Sequence, residues 1–316
     1  MKSTVHIAHR SRQSPQRRHE KPVLQAGGNP RQLRERVRKS FAHAAPADIA
    51  QLLSDSGNRT LGQMLKTAHT PDAGAIHDLR VQLRRFIETV HIASLAGILP
   101  GPELRVVLAR LRTIRRLGGK IRDLDVQAAW ARKVRPGQAE ADPVFPMTRA
   151  KFRDSRQSMI HTLGRRLNTC IVTNFSSRGL PGAAPARRDA AARLSATESV
   201  LRRIVHNIDV LHRRCGRALK TRRDHPVHRA RIAAKKLRYS CEIAARSGTP
   251  GMAPIISRLK QFQTLTGDLH DACLLREHCL QYAAASHQLP TMEALHRRLH
   301  KQAMAAVQRI HRWTAE

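Results

Sequence analysis

The chain has 316 residues, 41% of them hydrophobic, which is enough to bury one large core or two modest ones of similar build. Lys and Arg number 58 against 23 Asp and Glu, a formal net charge of +35 that repels itself unless the protein normally sits against something negative. Aromatics at 3% argue against reading bases by stacking, and five cysteines without a CxxC pair argue against a zinc ribbon or a disulfide framework.

Residues 1–30 are rich in bases, with little apolar periodicity before Leu33, and read as a disordered basic tail. Beyond them apolar residues recur at helical spacing in almost every segment, and alternating Val/Ile/Thr runs are missing, so the expected fold class is all-α. The spacing predicts helices over 31–54, 59–69, 74–97, 102–117, 120–134, 144–172, 190–221, 226–246, 252–266, 268–286 and 290–313. Pro71-Asp72, Leu99 to Pro102, Pro136-Gly137, Pro181-Gly182 and Gly248 to Gly251 punctuate them. The stretch 174–187 reads as a linker that divides a first repeat (31–172) from a second (188–316). No apolar run is long enough for a bilayer, and none follows the basic N-terminus, so neither membrane insertion nor a secretory signal is expected. Cys170, Cys215, Cys241, Cys273 and Cys279 read as small core residues in a reducing compartment, the cytoplasm.

The two halves match. Ile76 to Arg85 aligns with Val227 to Lys236 as H-x-x-R-x-x-x-[RK]-[RK], displaced from His77 to His228 by 151 positions. Further on, Leu111, Leu117, Gly119 and Asp123 align with Leu259, Leu265, Gly267 and Asp271, displaced by 148. Ordered matches of this kind indicate duplication, and a pseudo-twofold arrangement of two helical bundles is the expected packing.

At about 100° per residue His77, Arg80 and Arg84 share one face, with Arg85 beside it, next to an apolar stripe of Ile76, Leu79 and Leu83. The second copy places His228, Arg231, Lys235, Lys236 and Arg238 beside Ala230, Ala234, Leu237 and Cys241, whose smaller size suggests closer helix contact. Arg112, Arg115, Arg116 and Arg122 add bases from the next helical stretch, and Lys260 from its weaker counterpart. Of the 58 bases 46 are Arg, whose planar fork grips phosphate oxygens two at a time, so phosphate is the favoured anion. Asp123, Asp125, Asp268 and Asp271 read as helix caps and orienting partners for Arg122 and His270. The i,i+4 pair His296 and His300 reads as surface. No catalytic residue, metal or cofactor is expected.

The stripe His77-x-x-Arg80-x-x-x-Arg84-Arg85, the segment Leu117 to Val126, the second copy from His228 to Tyr239, and Leu265 to Asp271 together resemble the CHAD (conserved histidine α-helical domain) family over about residues 31–316. The resemblance implies an all-α fold of two duplicated, pseudo-symmetric four-helix bundles whose basic surface binds inorganic polyphosphate, with His77, Arg80, Arg84, Arg85, His228, Arg231, Lys235, Lys236, Arg238 and Tyr239 as binding residues. Phe86 and Ile87 stand where a further base is common, which shortens the first stripe. Nothing resembles the ExExK strand of the CYTH domain to which such domains are often fused, so a stand-alone binder associated with polyphosphate granules is expected. Nonspecific nucleic-acid binding is the second reading. Polyphosphate hydrolysis is a third, disfavoured for want of an acidic metal site.

Overall fold

The computed structural model describes residues 32–42, 48–98, 102–133, 144–174, 190–281 and 289–315. The expected tail lies outside them, as does the expected linker apart from Asn174. Among the described residues all regular structure is helical: α1 (Gln32–Ala42), α2 (Ile49–His69), α3 (Ala73–Leu95), α4 (Pro102–Lys133), α5 (Val144–Asn174), α6 (Ala190–Thr221), α7 (Asp224–Arg246), α8 (Met252–Gln281) and α9 (Leu289–Ala315). None of these is long and apolar enough to cross a membrane.

Local chemistry sets the starts. Asp48 accepts from the Gln51 N–H at 2.9 Å ahead of α2, and Asp72 from the Ala75 N–H at 2.7 Å ahead of α3. Pro102, Pro146, Pro226, Pro254 and Pro290 stand within the first three residues of their helices, where a missing N–H has no intrahelical partner to lose. The ends of α3 and α7 are alike. Gly97 (φ 71°) and Gly248 (φ 79°) adopt the left-handed conformation, and the next N–H reaches back to Ala93 O at 2.9 Å and to Ala244 O at 3.0 Å. Both helices have 23 residues, and residues 73 and 95 correspond to 224 and 246, again 151 apart.

Two predicted breaks are absent. Helix α4 runs through Gly118-Gly119, and α8 through Gly267, where the pattern suggested helix ends. The reason is tertiary: a Cβ on Gly118 would lie 3.1 Å from Arg80 Cγ, and one on Gly267 3.1 Å from an Arg231 guanidinium nitrogen. These glycines let a cationic stem cross a neighbouring helix. The sequence alignment pairs Gly119 with Gly267, but it is Gly118 that makes the equivalent approach. The structure also ends α1 at Ala42 and begins α2 at Ile49, so the predicted helix 31–54 is two elements and 59–69 is the end of α2.

Helices α2, α3, α4 and α5 pack as neighbours in a ring (α2 on α3, α3 on α4, α4 on α5, α5 on α2), and α6, α7, α8 and α9 form a second such ring. α3 meets α6 and α7, and α4 meets α8, so one apolar core runs through both sets, from Leu83 and Phe86 to Leu237 and Cys241. Ala230, Ala233 and Ala234 are buried on α7, which has neighbours in α3, α6, α8 and α9; small side chains suit a helix enclosed in this way. α1 precedes the first ring in the chain yet packs on α6 and α9, anchored by an Arg34–Asp209 ion pair.

Candidate functional site

The apolar stripe of α3 (Ile76, Leu79, Leu83) is buried, which turns His77, Arg80 and Arg84 outward together. The stripe of α7 does the same for His228, Arg231 and Lys235. Because α3 packs on α7, and α4 on α8, the two faces open onto one cleft of about 520 Å³. Arg112, Arg115 and Arg122 join from α4, Lys236 and Tyr239 from α7, and His270 from α8. Eleven of the fifteen expected residues therefore share one cavity, although they lie in two halves of the chain.

Four do not line it. Arg85 donates from Nε to Glu242 Oε2 at 3.0 Å, an ion pair joining α3 to α7. Arg238 lies 3.4 Å from the other oxygen of Glu242, with its guanidinium 4.8 Å from the Tyr239 ring centroid. Arg116 is exposed and donates to Thr113 Oγ1 at 3.2 Å, and Lys260 is exposed on α8. Asp123, Asp125, Asp268 and Asp271 sit inside continuous helices, so none of them is a cap. Asp125 instead accepts from Arg156 Nε at 2.6 Å, tying α5 to α4. Asp123 and Asp271 line the cleft beside Arg80 and Arg231.

Two lining residues escaped the sequence reading. His91 follows His77 and Arg84 at seven-residue intervals, a legible two-turn repeat, and lies 3.3 Å from Arg112. Glu88 carried no local signal. Its carboxylate is 3% exposed and receives Arg203 at 2.6 and 3.0 Å, Asn207 at 2.9 Å and Ser240 at 2.8 Å, so it locks α3 to α6 and α7 beneath the cations. Burial alone would raise it, but Arg203, Ser240 and Asn207 hold it below its ordinary value.

The cleft concentrates eight Arg or Lys side chains against Glu88, Asp123 and Asp271. Burial first, then Arg84, pushes Arg80 down to about 10 and Lys235 down to about 6. The charge of Arg84 also bears on Arg115 and Arg231, which makes it the common neighbour of the cluster. His228 and His270 have ring centroids 4.3 Å apart; burial first, then Arg231 and Lys235, pushes His228 down to about 4, and burial, then His228 and Arg231, pushes His270 down to about 3. At neutral pH they offer N–H donors, not the positive charge expected of a histidine in a cationic stripe. Nε of Arg80, Arg115 and Arg231 and Nδ1 of His228 are buried without a hydrogen-bond partner. Each buried guanidinium N–H of this kind costs about 1–3 kcal/mol until an acceptor arrives. The arrangement suits a ligand with many anionic oxygens.

A family model described as "CHAD domain" matches residues 51–280. No curated protein sequence matches the chain. Among solved structures, the CHAD domain from the plant Ricinus communis superposes with a TM-score of 0.55 at 16% identity, over 84% of this chain and 93% of that one. PptA from Streptomyces chartreusis superposes with a TM-score of 0.51 at 14% identity, over 85% of this chain and 99% of its own. At these identities the likeness is one of fold.

Proposed function

The chain belongs to the CHAD family, and from that premise we propose that it binds inorganic polyphosphate, without catalysis, in the cleft between α3, α4, α7 and α8. One observation carries the reading: cationic faces 151 residues apart in the chain converge on a single cavity that holds unpartnered buried donors. Polyphosphate is flexible, carries a charge on each unit and has no bases, so it can offer an oxyanion to each donor in turn. Each charge-assisted hydrogen bond so formed is worth about 1.5–3 kcal/mol. The aromatic ring in the cleft, Tyr239, is 3% exposed and offers no platform for a base, which favours polyphosphate over single-stranded nucleic acid. The cleft carboxylates Asp123 and Asp271 stand beside Arg80 and Arg231, where they orient cations, and this supports a binder more than a hydrolase.

The two rings of helices are, on this reading, duplicated four-helix bundles related by a pseudo-twofold axis, within repeats of about 31–172 and 188–316; α1 belongs to the first repeat by sequence and packs on the second ring. Support comes from the equal lengths and matching glycine ends of α3 and α7 and from the paired approaches of Gly118 to Arg80 and Gly267 to Arg231. A cytoplasmic protein attached to polyphosphate granules fits this activity. Nonspecific nucleic-acid binding is the alternative that the net charge of +35 keeps open. A competition decides between them: labelled long-chain polyphosphate against duplex DNA and single-stranded RNA at equal phosphate and about 0.15 M salt. Polyphosphate is expected to win. Equal or tighter binding of DNA or RNA would promote the alternative.

A further inference from the structure

A second constellation lies away from the polyanion cleft, where α7 begins. Asp224 is the first residue of α7, Cys273 lies on α8, and His296 and His300 stand one turn apart on α9. His296 Nε2 is 2.8 Å from Asp224 Oδ2, and His300 Nδ1 is 2.8 Å from Oδ1, so the histidines that read as surface from sequence converge on one carboxylate. Cys273 is within hydrogen-bonding reach of the same group. The donor atoms of Asp224, Cys273 and His296 all lie within 4.8 Å of one another.

We propose that Asp224, Cys273 and His296 form a binding site for a divalent transition metal of the zinc type, with His300 orienting the carboxylate from its other oxygen. Tetrahedral zinc with bonds of about 2.0–2.3 Å sets its ligands roughly 3.3–3.7 Å apart, so shifts of about 1 Å close this cluster on an ion. One thiolate, one imidazole and one carboxylate make a borderline-soft set that favours zinc or cobalt over magnesium or calcium. On binding, the thiol proton leaves to solvent, and the His296 proton resides on Nδ1 so that the Nε2 lone pair faces the metal. Carboxylate and thiolate together carry two negative charges, which neutralise a divalent ion and answer the repulsion of Arg222, Arg223, Arg297 and Lys301 nearby. With three protein ligands, the fourth position opens on the adjoining cleft of about 980 Å³ that these bases line. The ion would pin the N-terminus of α7, and with it the His228 stripe, to α8 and α9.

Untagged, chelator-stripped protein is titrated with Co²⁺ and the absorption spectrum recorded. The expected result is saturation at one ion per chain, with a thiolate-to-cobalt charge-transfer band that Zn²⁺ abolishes by displacement. Cys273→Ser should remove that band, while Cys170→Ser and Cys215→Ser, which alter buried thiols elsewhere, leave it intact. His300→Ala should keep the band and weaken affinity about 10–100-fold, as loss of an outer-shell partner does. One equivalent of Zn²⁺ should also raise the melting temperature of the wild-type chain, an observation that needs no variant to fold. The absence of a thiolate band at one equivalent, or its survival in a folded Cys273→Ser variant, overturns the proposal.

Discussion

Lys235 is the residue whose chemistry depends most on its setting. The unfolded chain binds its proton at 10.5, and burial with Arg84 and Arg231 lowers the native value to about 6. Between those values the unfolded state holds more protons, so stability should rise with pH across the interval, and the cost of burying the charged form is present below it. An anion in the cleft restores the charge. Polyphosphate binding should therefore take up a proton and tighten as pH falls from about 9 to about 6. Calorimetry in buffers of different ionisation enthalpy measures the uptake, and Lys235→Arg, which stays charged, should flatten the dependence. Glu88 behaves in the opposite sense. Its native pKa lies below the ordinary 4.5, so its contribution is fully present above that value and is lost as pH falls through the native one. Glu88→Ala leaves half-buried Arg203 and buried Asn207 and Ser240 without their shared partner and should cost about 3 kcal/mol in urea denaturation. A loss within 1 kcal/mol would mean that the Glu88 network does not hold α3, α6 and α7 together.

At the scale of elements, α3 and α7 should contribute comparably, because each presents its stripe to the same cavity. Arg80→Glu with Arg84→Glu, or Arg231→Glu with Lys235→Glu, should each weaken polyphosphate binding by 100-fold or more, since about two charge-assisted hydrogen bonds become repulsions. Helicity should survive, because the apolar stripes remain. Arg12→Glu with Arg17→Glu changes the net charge equally and should matter far less; equal losses would show that binding follows overall charge and that the cleft assignment is wrong. Arg85→Gln, by contrast, should lower stability through Glu242 and leave affinity nearly unchanged. The glycines under the stripes make a finer test. Gly118→Ala gains helix propensity of about 1 kcal/mol but forces the mid-stem of Arg80 to move, so binding should weaken several-fold while stability changes little.

For the whole molecule, the charge excess matters through salt. Eight cleft cations less Asp123 and Asp271, with Glu88 already held by Arg203, leave six, and at roughly 0.7 counterions per phosphate the log–log slope of affinity against salt should lie near −4. A slope near zero would remove polyelectrolyte binding altogether. Periodicity, the duplicated H-x-x-R stripe and the offset of 151 were legible in the chain, because helix faces depend on neighbours three and four positions away. These determined the all-α class and which cations share a face. Only the tertiary structure decided that the two stripes meet in one cavity, that Arg85 and Arg238 turn to Glu242, and that His228 loses its charge. Only it could carry helices through Gly118 and Gly267, and only it could draw His296 and His300 to Asp224. Burial and the forces between charges depend on distances between helices far apart in sequence, and no local pattern carries those distances.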